Sequence, residues 1–106
     1  MEEKEFLQAR EQIGRIDAEM AALFCRRMQA VEQIAAYKQQ EGLPILDGAR
    51  ERALIERNCA LVTNEQYEQY YLRFLQYTMQ LSREYQLSLL GQDAACDGLT
   101  EGDACV

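Results

Sequence analysis

The feature that most constrains the fold of this chain is a helical pattern that continues for about 37 residues. It runs from near Lys4 to about Glu41, where Gly42 and Pro44 end the helix. Such a helix is about 55 Å long, whereas a compact domain of this size has a radius of gyration of about 13 Å. In a monomer it would expose its apolar stripe. The pattern therefore predicts a homodimer in which the long helices pack across one another.

Two further helices follow. Asp47 is a good N-cap, and the second helix covers residues 48–57. Thr63 and Gln66 have the spacing of a capping box, so we expect the third helix to begin there and to reach about Leu90. The 106 residues include one proline and six glycines, which also favours helices over strands. The sequence predicts an all-α chain of three helices.

The third helix is apolar on two sides. One side carries Leu72, Leu75 and Met79, and the other carries five large residues, Tyr70, Phe74, Tyr77, Leu81 and Tyr85. A helix without a polar face is buried in a bundle. With the long first helix, this favours an intertwined helical homodimer. A coiled coil or scaffold is the alternative, although the stripe of the first helix keeps no strict heptad.

The end of the chain differs from the rest. Residues 91–106 are acidic, rich in small residues and without helical periodicity, and they include Cys96 and Cys105. This composition is typical of a disordered, mobile tail. We therefore divide the chain into a helical domain, residues 1–90, and a C-terminal tail, residues 91–106.

Charge and hydropathy exclude several partners. Eleven Lys and Arg against 18 Asp and Glu give a net charge of −7, which disfavours nucleic acid. A small anion would have to be held by a local cluster of cations. No apolar run approaches the length of a membrane span, and the N-terminus has no hydrophobic signal region. We expect neither a nucleic-acid nor a membrane partner.

Cysteine and histidine content limits the chemistry. The four cysteines form no CxxC pair and the chain has no histidine, so the sequence predicts no metal site and a reduced, cytoplasmic protein. Without histidine, the usual general base and the Ser-His and Cys-His nucleophiles are absent. A reaction catalysed by this chain would depend on charge and shape more than on proton transfer.

Two cations lie at the centre of the face that the first helix should bury. Arg27 and Lys38 fall on this face, whereas Arg26 falls well off it. The face is formed by six apolar residues, Met20, Leu23, Phe24, Val31, Ile34 and Ala35. Burying an unpaired cation costs several kcal/mol, so both cations must meet an anion. An internal carboxylate, Asp17 or Glu51, could supply it, and so could a ligand.

Other polar residues join these cations. Arg10 lies at the edge of the same face, and Ser82 and Gln86 lie four residues apart on the Leu75 side of the third helix. The start of the second helix adds three charged residues, Asp47, Arg50 and Glu51. The set is weighted toward hydrogen-bond donors, which need partners when buried. It suits a small ligand with more than one carboxylate. The acidic residues could then accept a hydrogen bond from a hydroxyl of that ligand.

This ordered set resembles the all-helical class of chorismate mutase. The resemblance covers roughly residues 6–86 and rests on Arg10, Arg27, Lys38, the D-x-x-R-E motif at 47–51, and Ser82-x-x-x-Gln86. It implies an isomerase that converts chorismate to prephenate in phenylalanine and tyrosine biosynthesis. No dehydratase, dehydrogenase or synthase domain follows, so we expect a monofunctional enzyme.

The resemblance also implies the catalytic roles. Arg27 and Arg10 would clamp the two carboxylates of the substrate, with Arg10 supplied across the subunit boundary of the homodimer. Lys38 and Gln86 would hydrogen-bond the ether oxygen of the C–O bond that breaks. The reaction would be a unimolecular Claisen rearrangement. It would need no nucleophile, no base and no cofactor, which agrees with a chain that has no histidine.

The remaining roles concern the ring hydroxyl and further carboxylate contacts. By the same resemblance, Glu51, with the backbone near Asp47, would hold the hydroxyl, while Arg50 and Ser82 would complete the carboxylate contacts. The first alternative is an isochorismate pyruvate lyase on the same fold, against which Asp47 and Glu51 argue. The second is a non-enzymatic helical dimerisation module, which would tolerate leucine at positions 27 and 38.

Overall fold

The computed structural model describes residues 2–91, which form three α-helices and no strand. Helix α1 spans Glu3–Glu41, α2 spans Gly48–Cys59 and α3 spans Glu65–Leu89. The all-α prediction is confirmed, while the predicted tail, from position 92 onward and including Cys96 and Cys105, lies outside the described residues. The chain divides after Ala30 into two units, so that α1 contributes to both of them.

The end of α1 is fixed by a glycine, as predicted. Gly42 has φ +69°, a left-handed conformation that side chains with a Cβ rarely adopt. The amide of Gly42 donates to the carbonyl of Gln39 at 3.4 Å, and the amide of Leu43 donates to the carbonyl of Lys38 at 2.8 Å. These two bonds form a Schellman motif, which satisfies carbonyl groups at the end of the helix.

Of the predicted N-caps of the two shorter helices, the one of α2 is confirmed and the one of α3 is corrected. The Asp47 side chain accepts a hydrogen bond from the amide of Arg50 at 3.1 Å and caps α2. In α3 the cap is Asn64, whose side chain accepts from the amide of Gln66 at 2.8 Å. The prediction of Thr63 as N-cap was therefore wrong by one residue. Because Gln66 then occupies the second helical position, the capping-box pairing with Thr63 does not apply.

The first unit is a single stretch of helix α1 whose side chains are mostly exposed. Every residue from 2 to 26 is exposed. They include the large apolar residues of the predicted stripe and its neighbours, Phe6, Leu7, Ile13, Ile16, Met20, Leu23 and Phe24, each with more than two fifths of its surface accessible. The pattern of a buried helix is thus present here, but the residues that the structure describes do not bury it.

The second unit has a small core. Val31 and Ala35 of α1 are buried, as are Leu75 and Met79 of α3. Helix α2 packs against α3. The hydroxyl of Tyr85 on α3 also donates to a carboxylate oxygen of Glu32 on α1 at 2.5 Å. This unit therefore joins the last part of α1 to the other two helices.

The two apolar sides of α3 have different environments. Leu75 and Met79 are 5% exposed, whereas Tyr70, Phe74 and Tyr77 on the other side are 67%, 52% and 60% exposed. Both sides of α3 were predicted to be buried, and in this structure the side with Leu75 and Met79 is. None of the helices in residues 2–91 combines the length and the hydropathy needed to cross a membrane.

Candidate active site

Two polar residues are buried among the apolar side chains of α3. Ser82 is 7% exposed and Gln86 is 6% exposed, and they share a face with Leu75 and Met79. The hydroxyl of Ser82 donates to the carbonyl of Thr78 one turn earlier, at 3.1 Å. The spacing of four residues between Ser82 and Gln86 therefore gives a short polar row inside an otherwise apolar surface.

Gln86 has a buried oxygen that lacks a protein partner. Among the residues that the structure describes, its Oε1 atom is buried without a hydrogen bond. Such atoms are rare in folded proteins because leaving one unsatisfied costs about 1–3 kcal/mol. Rotation of the side-chain amide by about 180° exchanges its acceptor and donor ends. The position can therefore present either an acceptor or a donor to a ligand.

Lys38 binds the loop that follows its own helix. Its ammonium group donates to the carbonyl of Ile45 at 2.6 Å, and the residue is half-buried. An ammonium has three N–H donors, so one bond to the loop leaves capacity for a ligand. The contact also links Lys38 to the segment that leads into Asp47 and α2.

The first turn of α2 contributes Asp47, Arg50 and Glu51. The Asp47 carboxylate accepts from the Arg50 amide as the helix cap, and both residues are exposed. A negative charge at a helix N-terminus is also favoured by the helix dipole. The Asp47 carboxylate is thus occupied as the cap of α2.

Glu51 pairs with Arg83, which is not among the site residues predicted from the sequence. The Nη1 atom of Arg83 lies 2.6 Å and 2.5 Å from the two carboxylate oxygens of Glu51, which is half-buried. Both residues line a cleft of about 450 Å³ between α2 and α3, together with Ile55, Arg73 and Met79. Helical spacing offers one signal for Arg83, which lies three residues, or about 60° around the helix, from Gln86.

Arg10 and Arg27 belong to the first unit. The guanidinium of Arg10 lies over the ring of Phe6, 4.4 Å from its centroid, and Arg10 is exposed. Arg27 is half-buried while its neighbour Arg26 is exposed, as the helical phase predicts. The six other predicted residues belong to the second unit.

Comparison with protein families identifies the chain. The family model described as chorismate mutase type II matches residues 9–87. The chain belongs to this family. The match begins one residue before Arg10 and ends one residue after Gln86, so it includes all eight residues of the predicted site. No curated protein and no solved structure matches this chain.

The predicted site residues of the second unit differ in chemical character. Lys38 supplies positive charge, Gln86 supplies a buried amide, and Glu51 supplies an acceptor held by Arg83. Residues 2–91 bring no three Asp, Glu or Cys side chains close enough together to hold a metal ion. Lys38 and Gln86 are each able to donate a hydrogen bond, and Glu51 is able to accept one.

Proposed function

We propose that this protein converts chorismate to prephenate. The observation that carries the proposal is the Gln86 amide, which is buried without a partner for its oxygen in a domain of the chorismate mutase type II family. A buried polar group of this kind is costly unless a ligand completes its hydrogen bonding. An ether oxygen can only accept a hydrogen bond, so in this proposal the amide is turned with its NH2 group toward the ether oxygen of chorismate.

The proposed mechanism uses electrostatics and shape. In the rearrangement one C–O bond breaks and one C–C bond forms within the same molecule, while negative charge grows on the ether oxygen. Lys38 and Gln86 would donate hydrogen bonds to that oxygen, and these bonds would be stronger in the transition state than in the ground state. A rate acceleration of about 10⁶-fold corresponds to about 8 kcal/mol of barrier.

The carboxylates of chorismate would be held by the two arginines of the first unit. Arg27 would bind one of them from its own chain, and Arg10 of the partner subunit would bind the other. Arg50 and Ser82 would complete these contacts. Holding both carboxylates selects the compact conformer in which the reacting carbon atoms approach one another.

A homodimer is part of this proposal. The large apolar side chains of residues 2–26 are exposed in the single chain, which favours their burial against a second copy. The exposed aromatic side of α3 supports the same arrangement. We further propose a role in phenylalanine and tyrosine biosynthesis, which the family supports, and a cytoplasmic location, which the cysteine content supports.

The function is tested by incubating the purified protein with chorismate. We expect the ultraviolet absorbance of chorismate to fall, prephenate to accumulate, and a chelator to have no effect. Separate measurement of pyruvate, with isochorismate as a second substrate, examines the lyase on the same fold. Pyruvate without prephenate would assign the chain to the lyase, and no turnover of either substrate would favour a dimerisation module.

The shared site is tested by subunit exchange. Arg10→Ala and Arg27→Ala homodimers should each be nearly inactive, because every site lacks one carboxylate contact, whereas Arg26→Ala should remain active. After the two inactive proteins are unfolded and refolded together, about half of the dimers should be mixed. One site of each mixed dimer is then intact, so about a quarter of all sites should regain activity. Absence of recovery in a mixed population would refute the contribution of Arg10 across subunits.

A further inference from the structure

Arg83 makes a long-range ion pair at the edge of the proposed site. Its Nη1 atom bridges both carboxylate oxygens of Glu51, at 2.6 Å and 2.5 Å, across 32 residues of sequence. The side chains of Arg83 and Glu51 are 30% and 24% exposed, so water screens the pair less than it would on an open surface. The contact joins the first turn of α2 to the last third of α3.

The geometry of the pair limits the Glu51 side chain. A glutamate has three rotatable side-chain bonds, and without a partner its carboxylate would sample several positions. A donor that bridges both oxygens fixes the direction of the carboxylate plane. It also leaves acceptor capacity, because an ionised carboxylate has about four lone-pair sites. A hydroxyl can therefore bind Glu51 without displacing Arg83.

The charge of Arg83 has a second consequence. The proposed substrate carries two carboxylates, and an uncompensated Glu51 in the same site would repel them. Arg83 offsets this negative charge while the oxygens of Glu51 still accept hydrogen bonds. The pair thus allows an acidic side chain to recognise a hydroxyl in a site that binds an anion.

We propose that Arg83 is a positioning residue that holds Glu51 as the acceptor for the ring hydroxyl of the substrate. This inference rests on the proposed function and deepens it, because it assigns the recognition of one substrate group to a pair of residues. The competing explanation is that the ion pair only joins α2 to α3. The two explanations differ in whether the loss of activity on removing Arg83 depends on the ring hydroxyl of the substrate.

The experiment compares two substrates, chorismate and an analogue in which hydrogen replaces the ring hydroxyl. Arg83→Ala should lower kcat/KM for chorismate by about tenfold or more, and should lower it much less for the analogue. Arg83→Lys should recover part of the loss. Arg73→Ala is the matched control, because Arg73 lines the same cleft on the same helix and lies over the ring of Tyr70.

A double variant separates positioning from packing. In a Glu51→Gln background, Arg83→Ala should cause little further loss, because the acceptor that it positions is already changed. Equal losses on both substrates, or additive losses in the double variant, would overturn the inference. Arg83→Gln, which keeps part of the side chain, replaces Arg83→Ala if circular dichroism shows that the alanine variant is unfolded.

The outcomes also distinguish the two proposals. If the wild-type protein does not convert chorismate, the proposed function is refuted and this inference falls with it. If the wild-type protein is active but the Arg83 variants treat both substrates alike, the inference alone is refuted. Selective loss on chorismate with recovery by lysine would support both.

Discussion

Residues 2–30 bury no side chain, whereas residues 31–91 bury four apolar and two polar ones. Both regions nevertheless carry apolar residues at helical spacing. Met20, for example, is 43% exposed, while Val31 on the same face of α1 is 5% exposed. Among the described residues, the first part of α1 therefore has exposed apolar side chains and its last part has buried ones.

An apolar face on a helix can be covered either by the same chain or by another molecule. In residues 31–91 the cover for α1 is present in the same chain, and Val31 and Ala35 are buried. In residues 2–26 the same type of pattern faces solvent. Exposed apolar area of this kind is unfavourable in water, and a second copy of the chain would remove it.

The proposed site residues divide between the same two regions. Arg10 and Arg27, two of the four proposed carboxylate contacts, lie in the first region, while the groups proposed to bind the ether oxygen and the hydroxyl lie in the second. If the first region packs against a partner subunit, catalysis depends on dimerisation. A variant that prevents dimerisation should then abolish activity even when the second region is unchanged.

The largest effect should come from a charge placed on the exposed stripe. Met20→Glu should yield a monomer of 12.2 kDa in sedimentation and lower activity by about 10³-fold or more, because a desolvated carboxylate would lie in the interface. Ala22→Glu is the matched control, since Ala22 is also exposed but lies on the opposite side of α1. A monomer would tolerate both changes alike.

Equal tolerance of the two glutamate substitutions would contradict the dimer. If both glutamate variants keep the mass and the activity of the wild type, the stripe of residues 2–26 has no partner. If both dissociate, the interface includes more of the helix than the stripe. Circular dichroism at the same concentration reports whether α1 loses helix when it loses its cover.

A smaller effect should come from Gln86 in the buried region. Gln86→Glu should lower activity at neutral pH by about 10- to 100-fold, because an ionised carboxylate repels the charge that develops on the ether oxygen. Activity should rise as the pH falls, since the protonated acid can donate a hydrogen bond. Gln66→Glu, at an exposed position near the start of α3, should leave the pH profile unchanged. A profile unaffected by Gln86→Glu would remove Gln86 from the site.

The helices could be predicted because their signals are local. Gly42 and Asp47 each decide a helix end through contacts within five residues, and both predictions are confirmed. The start of α3 was missed by one residue because Thr63 and Asn64 are both competent caps. The choice depends on the backbone, where Asn64 is extended with φ −82° and ψ 115° and its side chain reaches the amide of Gln66.

The site was less predictable because some of its contacts are not local. Periodicity placed Ser82 and Gln86 on a buried face of α3, and the structure has both of them there. The pairing of Arg83 with Glu51 depends on how α2 packs against α3, which one-dimensional spacing does not give. Burial of Met20 was expected from the stripe, but in one chain it is exposed.

The smallest effect concerns a contact that joins α1 to α3 within residues 31–91. The Tyr85 hydroxyl donates to Glu32, and this hydrogen bond, together with the nearby negative charge, raises the pKa of Tyr85 above its ordinary value of 10.0. A raised pKa means that the neutral tyrosine is favoured in the folded state. The stabilising contribution is therefore complete below about pH 10 and is lost as the pH rises through the folded-state pKa.

Tyr85→Phe should therefore change the pH dependence of stability while leaving activity near that of the wild type. Both proteins should lose stability in alkali, but the melting temperature of the wild type should fall more steeply above about pH 10, because its unfolded state releases the Tyr85 proton first. Glu32→Gln should reduce this additional slope, since the charge that raises the pKa is gone. Parallel melting curves for wild type and Tyr85→Phe from neutral pH into alkali would mean that the contact contributes nothing in solution. The second region would then depend on its apolar core, with Val31 and Ala35 packed in it, to hold α1 in place.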